Sequence, residues 1–114
     1  MLARENRLRS AEDFRSTMRL GQKASTDHLV LYLLKGDAST DPRFGFVVGK
    51  TVGNSVKRNL VKRRARAICS GRINEFGQDE SLVIRALPGA AELTWEKMLD
   101  EFNLGLSKLK RIPA

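Results

Sequence analysis

The chain has 114 residues, 41% of them apolar, and carries 21 Lys and Arg against 13 Asp and Glu, a net charge of +8. That length supports one core and a single domain, 1–114, and the longest strongly apolar run, Leu29 to Leu34, is far too short to span a membrane. With one cysteine, Cys69, internal disulfides are excluded, and an N-terminus without an apolar h-region is not a secretory signal, so the expected setting is the cytoplasm.

Ser10, followed by Glu12 and Asp13, marks a helix start: a hydroxyl cap with acids in the first turn opposing the dipole. Gly21 predicts its end, giving a short helix over 11–20. Leu29 to Leu34 reads as a strand ending at Gly36-Asp37. The turn-rich segment 36–42 leads to a second strand, Arg43 to Val48, and the pair is expected to form an antiparallel hairpin with a loose connection. A basic helix is predicted from Asn54 or Ser55 to Cys69, before Ser70-Gly71. Ser81 to Leu87 predicts a third core strand, stopped by Pro88. The last helix starts at Thr94 as its cap, with Leu93 and Met98 at the two positions of a hydrophobic staple. Its apolar stripe is Trp95, Met98, Leu99, Phe102, Leu106 and Leu109, at 3.6-residue spacing. Lys108, Lys110 and Arg111 stand near its C-terminus, where cations are favoured. The order α-β-β-α-β-α predicts an α+β fold with helices packed on a small sheet.

Charge is concentrated in one stretch. Between Phe44 and Asn74 there is no acid but eight bases: Lys50, Lys57, Arg58, Lys62, Arg63, Arg64, Arg66 and Arg72. Outside it the two signs balance at 13 each, so these residues carry the whole net charge. Concentrated charge of this kind predicts a polyanionic partner. On a helical wheel Ser55, Arg58, Asn59, Lys62, Arg63 and Arg66 fall within about 140°. Val56, Leu60, Val61, Ala65, Ala67 and Ile68 take most of the opposite side. Lys57 and Arg64 interrupt that apolar side and must snorkel or lie where the helix leaves the core. A row of cations suits phosphates, and the planar arginine fork can bind phosphate oxygens bidentately. The alternative, a merely solvated charged face, would leave Arg58, Lys62 and Arg66 as like charges at i,i+4 with no acid nearby, which is destabilising.

Gly49-Lys50-Thr51-Val52-Gly53-Asn54 precedes the helix. It serves equally as a plain strand-to-helix turn or as a backbone able to approach a phosphate at the helix start. Gly49-Lys50-Thr51 imitates the end of a nucleotide-binding P-loop, but the first glycine of that motif would fall at Phe44. Nucleotide hydrolysis is therefore set aside.

Over residues 53–66 the chain resembles the protein subunit of bacterial ribonuclease P, whose signature is approximately Gly-Asn-x-Val-x-Arg-Asn-Arg-x-Lys-Arg-x-x-Arg. Gly53, Asn54, Val56, Arg58, Asn59, Lys62, Arg63 and Arg66 match in register; the middle arginine is Leu60 here. Arg7-Leu8-Arg9-Ser10-Ala11-Glu12-Asp13-Phe14 looks like that family's first helix start, and Leu29–Tyr32 and Gly45–Lys50 look like core strands. The resemblance covers nearly the whole chain. It implies a fourth strand, from Gln22–Asp27 or a divided hairpin, and a left-handed β-α-β crossover. It also implies a function. The partner would be a catalytic RNA subunit that removes the 5′ leader of precursor tRNA with Mg²⁺ held mainly by RNA, and no DNA or membrane partner is expected. Lys50, Asn54, Lys57, Arg58, Asn59, Lys62, Arg63 and Arg66 would contact RNA. Phe14, Met18 and Tyr32 would line a leader cleft between the first helix and the sheet. Unstacked bases can lie on the rings of Phe14 and Tyr32; Met18, where the family has an aromatic, offers apolar contact only. The spacing of Phe14 and Met18 also suits an i,i+4 core pair.

A protein-borne nuclease site is not composed by these residues. His28 and Cys69 are each single, and a lone His in a strand is more often structural. The acid pairs Glu12-Asp13 and Asp79-Glu80 sit at a helix start and before a strand. Two rival readings share the basic helix. A structural RNA-binding protein has no use for the aromatic cleft, and a DNA-binding regulator usually needs dimer symmetry and base-reading residues.

Overall fold

The computed structural model describes residues 2–37 and 39–109. Lys110 and Arg111, expected at the last helix end, lie outside them. Helix α1 (Ala11–Leu20) starts as the sequence predicts, with the Ser10 hydroxyl accepting from the backbone N–H of Glu12 and Asp13. It ends at Gly21, whose φ of −76° is ordinary. The glycine is needed there for space: a Cβ would lie 2.5 Å from the Thr17 carbonyl oxygen and 2.7 Å from that of Leu33.

Four strands follow in chain order: β1 (Gln22–Ser25), β2 (Leu29–Lys35), β3 (Arg43–Val47) and β4 (Glu80–Ala86). The fourth strand implied by the resemblance is β1, from the first of the two candidate segments. The sheet order is β1-β2-β4-β3. Strand β2 pairs antiparallel with β1 and β4, with Tyr32 opposite Lys23 and Val83. Strand β3 pairs parallel with β4, Gly45 lying opposite Val83. The expected β2–β3 hairpin is therefore wrong. Strand β4, the most apolar run after β2, takes the central place between them, and the loose 36–42 connection lets β3 cross to its far side. Helix α2 (Ser55–Ser70) then joins the parallel strands β3 and β4 as a β-α-β unit.

Helices α2 and α3 (Trp95–Lys108) share one face of the sheet. Leu29, Leu31, Leu33, Phe44, Leu82 and Ile84 are buried there with Val61, Ala65, Ile68, Met98, Phe102 and Leu106. Phe44 meets Phe76 edge to face, with centroids 5.0 Å apart, a geometry that contributes about 0.5–1.5 kcal/mol beyond burial. Thr94 caps α3 by accepting from Lys97 N–H at 3.2 Å, and Leu93 and Met98 join the same core, as the staple requires. Trp95 departs from the expected stripe: it is 39% exposed, because it stands at the first helical position, before α3 has passed over the sheet.

Candidate nucleic-acid interface

Helix α2 begins at Asn54, whose side-chain oxygen accepts from Lys57 N–H at 3.0 Å. Gly53, with φ of +149°, makes the turn into it, and a Cβ there would crowd Lys57 Cδ at 2.7 Å. Lys50 is exposed in the preceding turn. The buried ridge of α2 is Val61, Ala65, Ile68 and Cys69. The wheel had placed Val56 and Ala67 on the apolar side, but both are exposed, Val56 at 75%. The sheet sits under a narrower arc than composition suggested, and the helix start overhangs it. Leu60 is half-buried on that outer flank.

The cations separate into two flanks. Asn59, Arg63 and Arg66 are exposed, and Arg58 and Lys62 are half-buried beside them. The Arg58 Nε is buried without a partner in the protein, so its guanidinium is only partly satisfied by the fold. On the other flank Lys57 pairs with Glu92 at 3.4 Å, and Arg64 donates to the Leu93 carbonyl at 2.7 Å. Those two basic residues tie α2 to the 90–93 segment, so Lys57 stands apart from the basic row expected to meet RNA. Arg72 is also engaged: it pairs with Glu75, donates to Asn103 at 2.7 Å and lies 5.6 Å from the Phe102 ring centroid.

Among the described residues α1 is the only α-helix on the opposite face of the sheet. Phe14 and Met18 of α1, both half-buried, pack on Leu8, Val30, Tyr32 and Val83. The fold thus brings the expected cleft residues together, but not as equals. Tyr32 is 5% exposed and forms the floor, leaving Phe14 and Met18 as the contactable edge. Gly45 makes this contact possible, since a Cβ there would stand 2.5 Å from Cε1 and Cζ of Phe14. Arg85 went unnoticed in the sequence. It is exposed on central strand β4, and alternation places it on the Val83 side of the sheet. Its signal was a charge interrupting the apolar run 81–87.

The remaining titratable groups have structural occupations. His28 Nδ1 lies 2.7 Å from Glu101 Oε2, and His28 N–H and Thr26 Oγ1 donate to Glu101 Oε1 at 2.8 and 2.7 Å. Burial alone would raise the Glu101 carboxyl, but these hydrogen bonds and the His28 charge outweigh it and hold the group below its usual range. Burial pushes the Cys69 thiol far above its ordinary range, against a weaker pull from Arg72. Asp13 pairs with Arg43 at 3.3 Å, Asp79 accepts from Thr40 at 2.9 Å, and Glu80 accepts from Gly77 N–H at 2.6 Å. Among the described residues no three His, Cys, Asp or Glu side chains gather to hold a metal ion. No helix among them is long and apolar enough to cross a membrane.

An acid-free cationic helix beside a half-covered aromatic sheet face defines the class: a small α+β nucleic-acid-binding protein. The family model described as Ribonuclease P matches residues 2–110. The chain is 42% identical over 113 residues to the ribonuclease P protein component of an Arthrobacter species, covering 98% of this chain and 83% of that one. It is 38% identical to the same component from Clavibacter michiganensis, covering 97% and 98%. In fold it is similar to the RNase P protein of Staphylococcus aureus, with a TM-score of 0.82 at 21% identity over 93% of this chain and 98% of that one. The RNase P protein of Thermotoga maritima gives 0.76 at 24% identity, over 93% and 99%. The chain belongs to the ribonuclease P protein family.

Proposed function

We propose that this chain is the protein component of a ribonuclease P holoenzyme, which removes the 5′ leader of precursor tRNA to give mature 5′ ends. It binds the catalytic RNA subunit through the free flank of α2, with Lys50, Asn54, Arg58, Asn59, Lys62, Arg63 and Arg66. It grips the leader at the α1 face, where Phe14 offers a ring for stacking, Met18 an apolar edge, and Tyr32 the floor beneath them. The protein's part is electrostatic and positional. Its cations replace counterions that the folded RNA would otherwise gather, and Mg²⁺ and the cleavage chemistry belong to the RNA.

The observation that carries this reading is the adjacency of the unpaired α2 cations to an aromatic face covered by one helix. The discriminating experiment compares precursor and mature tRNA binding by the protein assembled with its catalytic RNA. Preference for the precursor, lost when Phe14 is changed, supports leader binding. Equal binding of both would leave a structural RNA-binding protein, and tighter binding of duplex DNA would leave a regulator.

A further inference from the structure

The outermost ridge of α2 is largely apolar on an otherwise cationic helix. Val56, Leu60, Arg63 and Ala67 fall within an arc of about 60° at 100° per residue, nearly opposite the buried Val61, Ala65 and Ile68. Val56, at 75%, is the most exposed large apolar side chain among the described residues. Arg63 and Ala67 are exposed beside it, and Leu60 is half-buried. A β-branched residue gains nothing in helix propensity at such a place. The ridge runs about 16 Å along the helix axis. On one side of it stand Asn59 and Arg66, both exposed; on the other, Lys57 and Arg64 are tied to Glu92 and Leu93. The helix carries no acid and no aromatic residue.

These features select among occupants. A second copy of the chain laid on the ridge would bring two cationic helices together with no acid on either to offset them. Splayed single-stranded bases need rings to stack on, and α2 offers none. Paired RNA presents a different surface: a wide, shallow minor groove that displays riboses and their 2′-hydroxyls between the phosphates. Small and aliphatic side chains fit the C–H edges of riboses. Asn59, at the margin of the ridge, can donate to and accept from a 2′-hydroxyl, and Arg63 and Arg66 can take the bordering phosphates. We infer that the ridge of α2 seats in the minor groove of a paired segment of the catalytic RNA, with Val56 and Leu60 against riboses. Leu60 is then a specificity residue: the RNA that fits it offers a sugar, not a phosphate, at that point. This rests on the reading above that α2 binds the catalytic RNA, and adds the RNA surface that it meets.

The test measures binding of the full chain to its catalytic RNA across a salt series. Leu60→Arg adds a cation to an RNA-binding helix, yet it should weaken binding roughly tenfold, because the charge would be pressed against sugars. Leu60→Ala and Val56→Thr should each weaken it roughly fivefold, the scale of one partly exposed apolar side chain. Their salt slopes should not change, since no phosphate contact is lost. Val56 is exposed enough that its variant keeps the fold, and Leu104→Ala, an exposed apolar change on α3, should bind like the wild type. Hydroxyl-radical footprinting, which reads ribose exposure, should show the wild type protecting consecutive riboses in one paired segment. Leu60→Ala should lose that protection and keep the rest. Tighter binding by Leu60→Arg, with a slope steeper by about one phosphate, would overturn the inference by placing a phosphate there. Wild-type affinity in both Leu60→Ala and Val56→Thr, or protection confined to unpaired nucleotides, would also overturn it. An RNA-free dimer lost in Val56→Thr would give the ridge to a second copy instead. Equally tight binding of an unrelated RNA of the same length by the wild type would remove the catalytic-RNA reading and the ridge with it.

Discussion

On one face of the sheet, α2 and α3 bury Leu31, Leu82 and Ile84 under Val61, Ala65, Met98 and Phe102; on the other, α1 and Leu8 of the preceding segment cover Val30, Tyr32 and Val83, and Phe14 and Met18 of α1 stay half-exposed. Both faces use the same alternating strands, so the difference lies in what covers them. A doubly covered face can contribute only to stability, because no ligand reaches it. A face under one short helix keeps apolar surface at its margin, where a base can replace water. Charge divides along α2 itself: Arg64 is tied to the Leu93 carbonyl on one flank, whereas Arg63 and Arg66 remain exposed on the other.

The contrast is most exposed to refutation at Phe102, 1% exposed between α3 and the sheet. Phe102→Ala should cost about 3–5 kcal/mol of unfolding free energy in urea, with RNA binding by the folded fraction unchanged. A loss below 1 kcal/mol, on the order of an exposed-site change, would show that this face is not the stabilising one. Phe14→Ala should do the reverse: about 1–3 kcal/mol lost in precursor tRNA binding, near-normal mature tRNA binding, and a smaller stability change than Phe102→Ala. Equal losses for the two tRNAs would return Phe14 to the core. On α2, Arg58→Ala, Lys62→Ala and Arg66→Ala should each reduce the salt slope for catalytic RNA by about one. Lys57→Ala, paired with Glu92, should reduce it less. Identical slopes for all four would erase the distinction between the two flanks.

The smallest effect belongs to the clamp between the 26–28 turn and α3. The folded Glu101 carboxyl is held below its ordinary value of 4.5. Its stabilisation is therefore fully present above that value and is lost as pH falls through the folded-state value. Glu101→Gln should flatten the acid limb of a stability–pH profile. A profile as steep as the wild type's would assign the acid sensitivity to other carboxylates.

Local signals in the sequence were reliable where a single element decides the outcome. Ser10 and Thr94 cap the helices they were expected to start, and of the two candidates Asn54 and Ser55 it is Asn54 that caps α2, because capping depends on neighbouring residues only. Strand pairing was not legible. Whether β2 meets β3 or β4 depends on which strand fills the sheet centre, which no local window encodes. The helical wheel of α2 was right about polarity and wrong about width: Val56, on its apolar side, is 75% exposed. For the candidate site, the basic helix was legible in residue type, whereas Phe14 was singled out only by the family resemblance, its spacing fitting a core pair equally well. Burial of Tyr32, pairing of Lys57 and exposure of Arg85 are products of tertiary packing and were not legible.

The central claim, that this protein holds RNA and leaves cleavage to its RNA partner, is tested most directly by incubating precursor tRNA with the purified protein alone and with the assembled holoenzyme. The account predicts no cleavage by the protein at any Mg²⁺ concentration. Accurate 5′ cleavage should appear once the catalytic RNA is added, at lower Mg²⁺ than that RNA needs by itself. His28→Ala with Cys69→Ser, checked for folding, should leave holoenzyme cleavage largely intact, since His28 is committed to Glu101 and the Cys69 thiol is buried and protonated. Site-specific cleavage by the RNA-free protein, abolished in that double variant, would contradict the account and make the chain a nuclease in its own right.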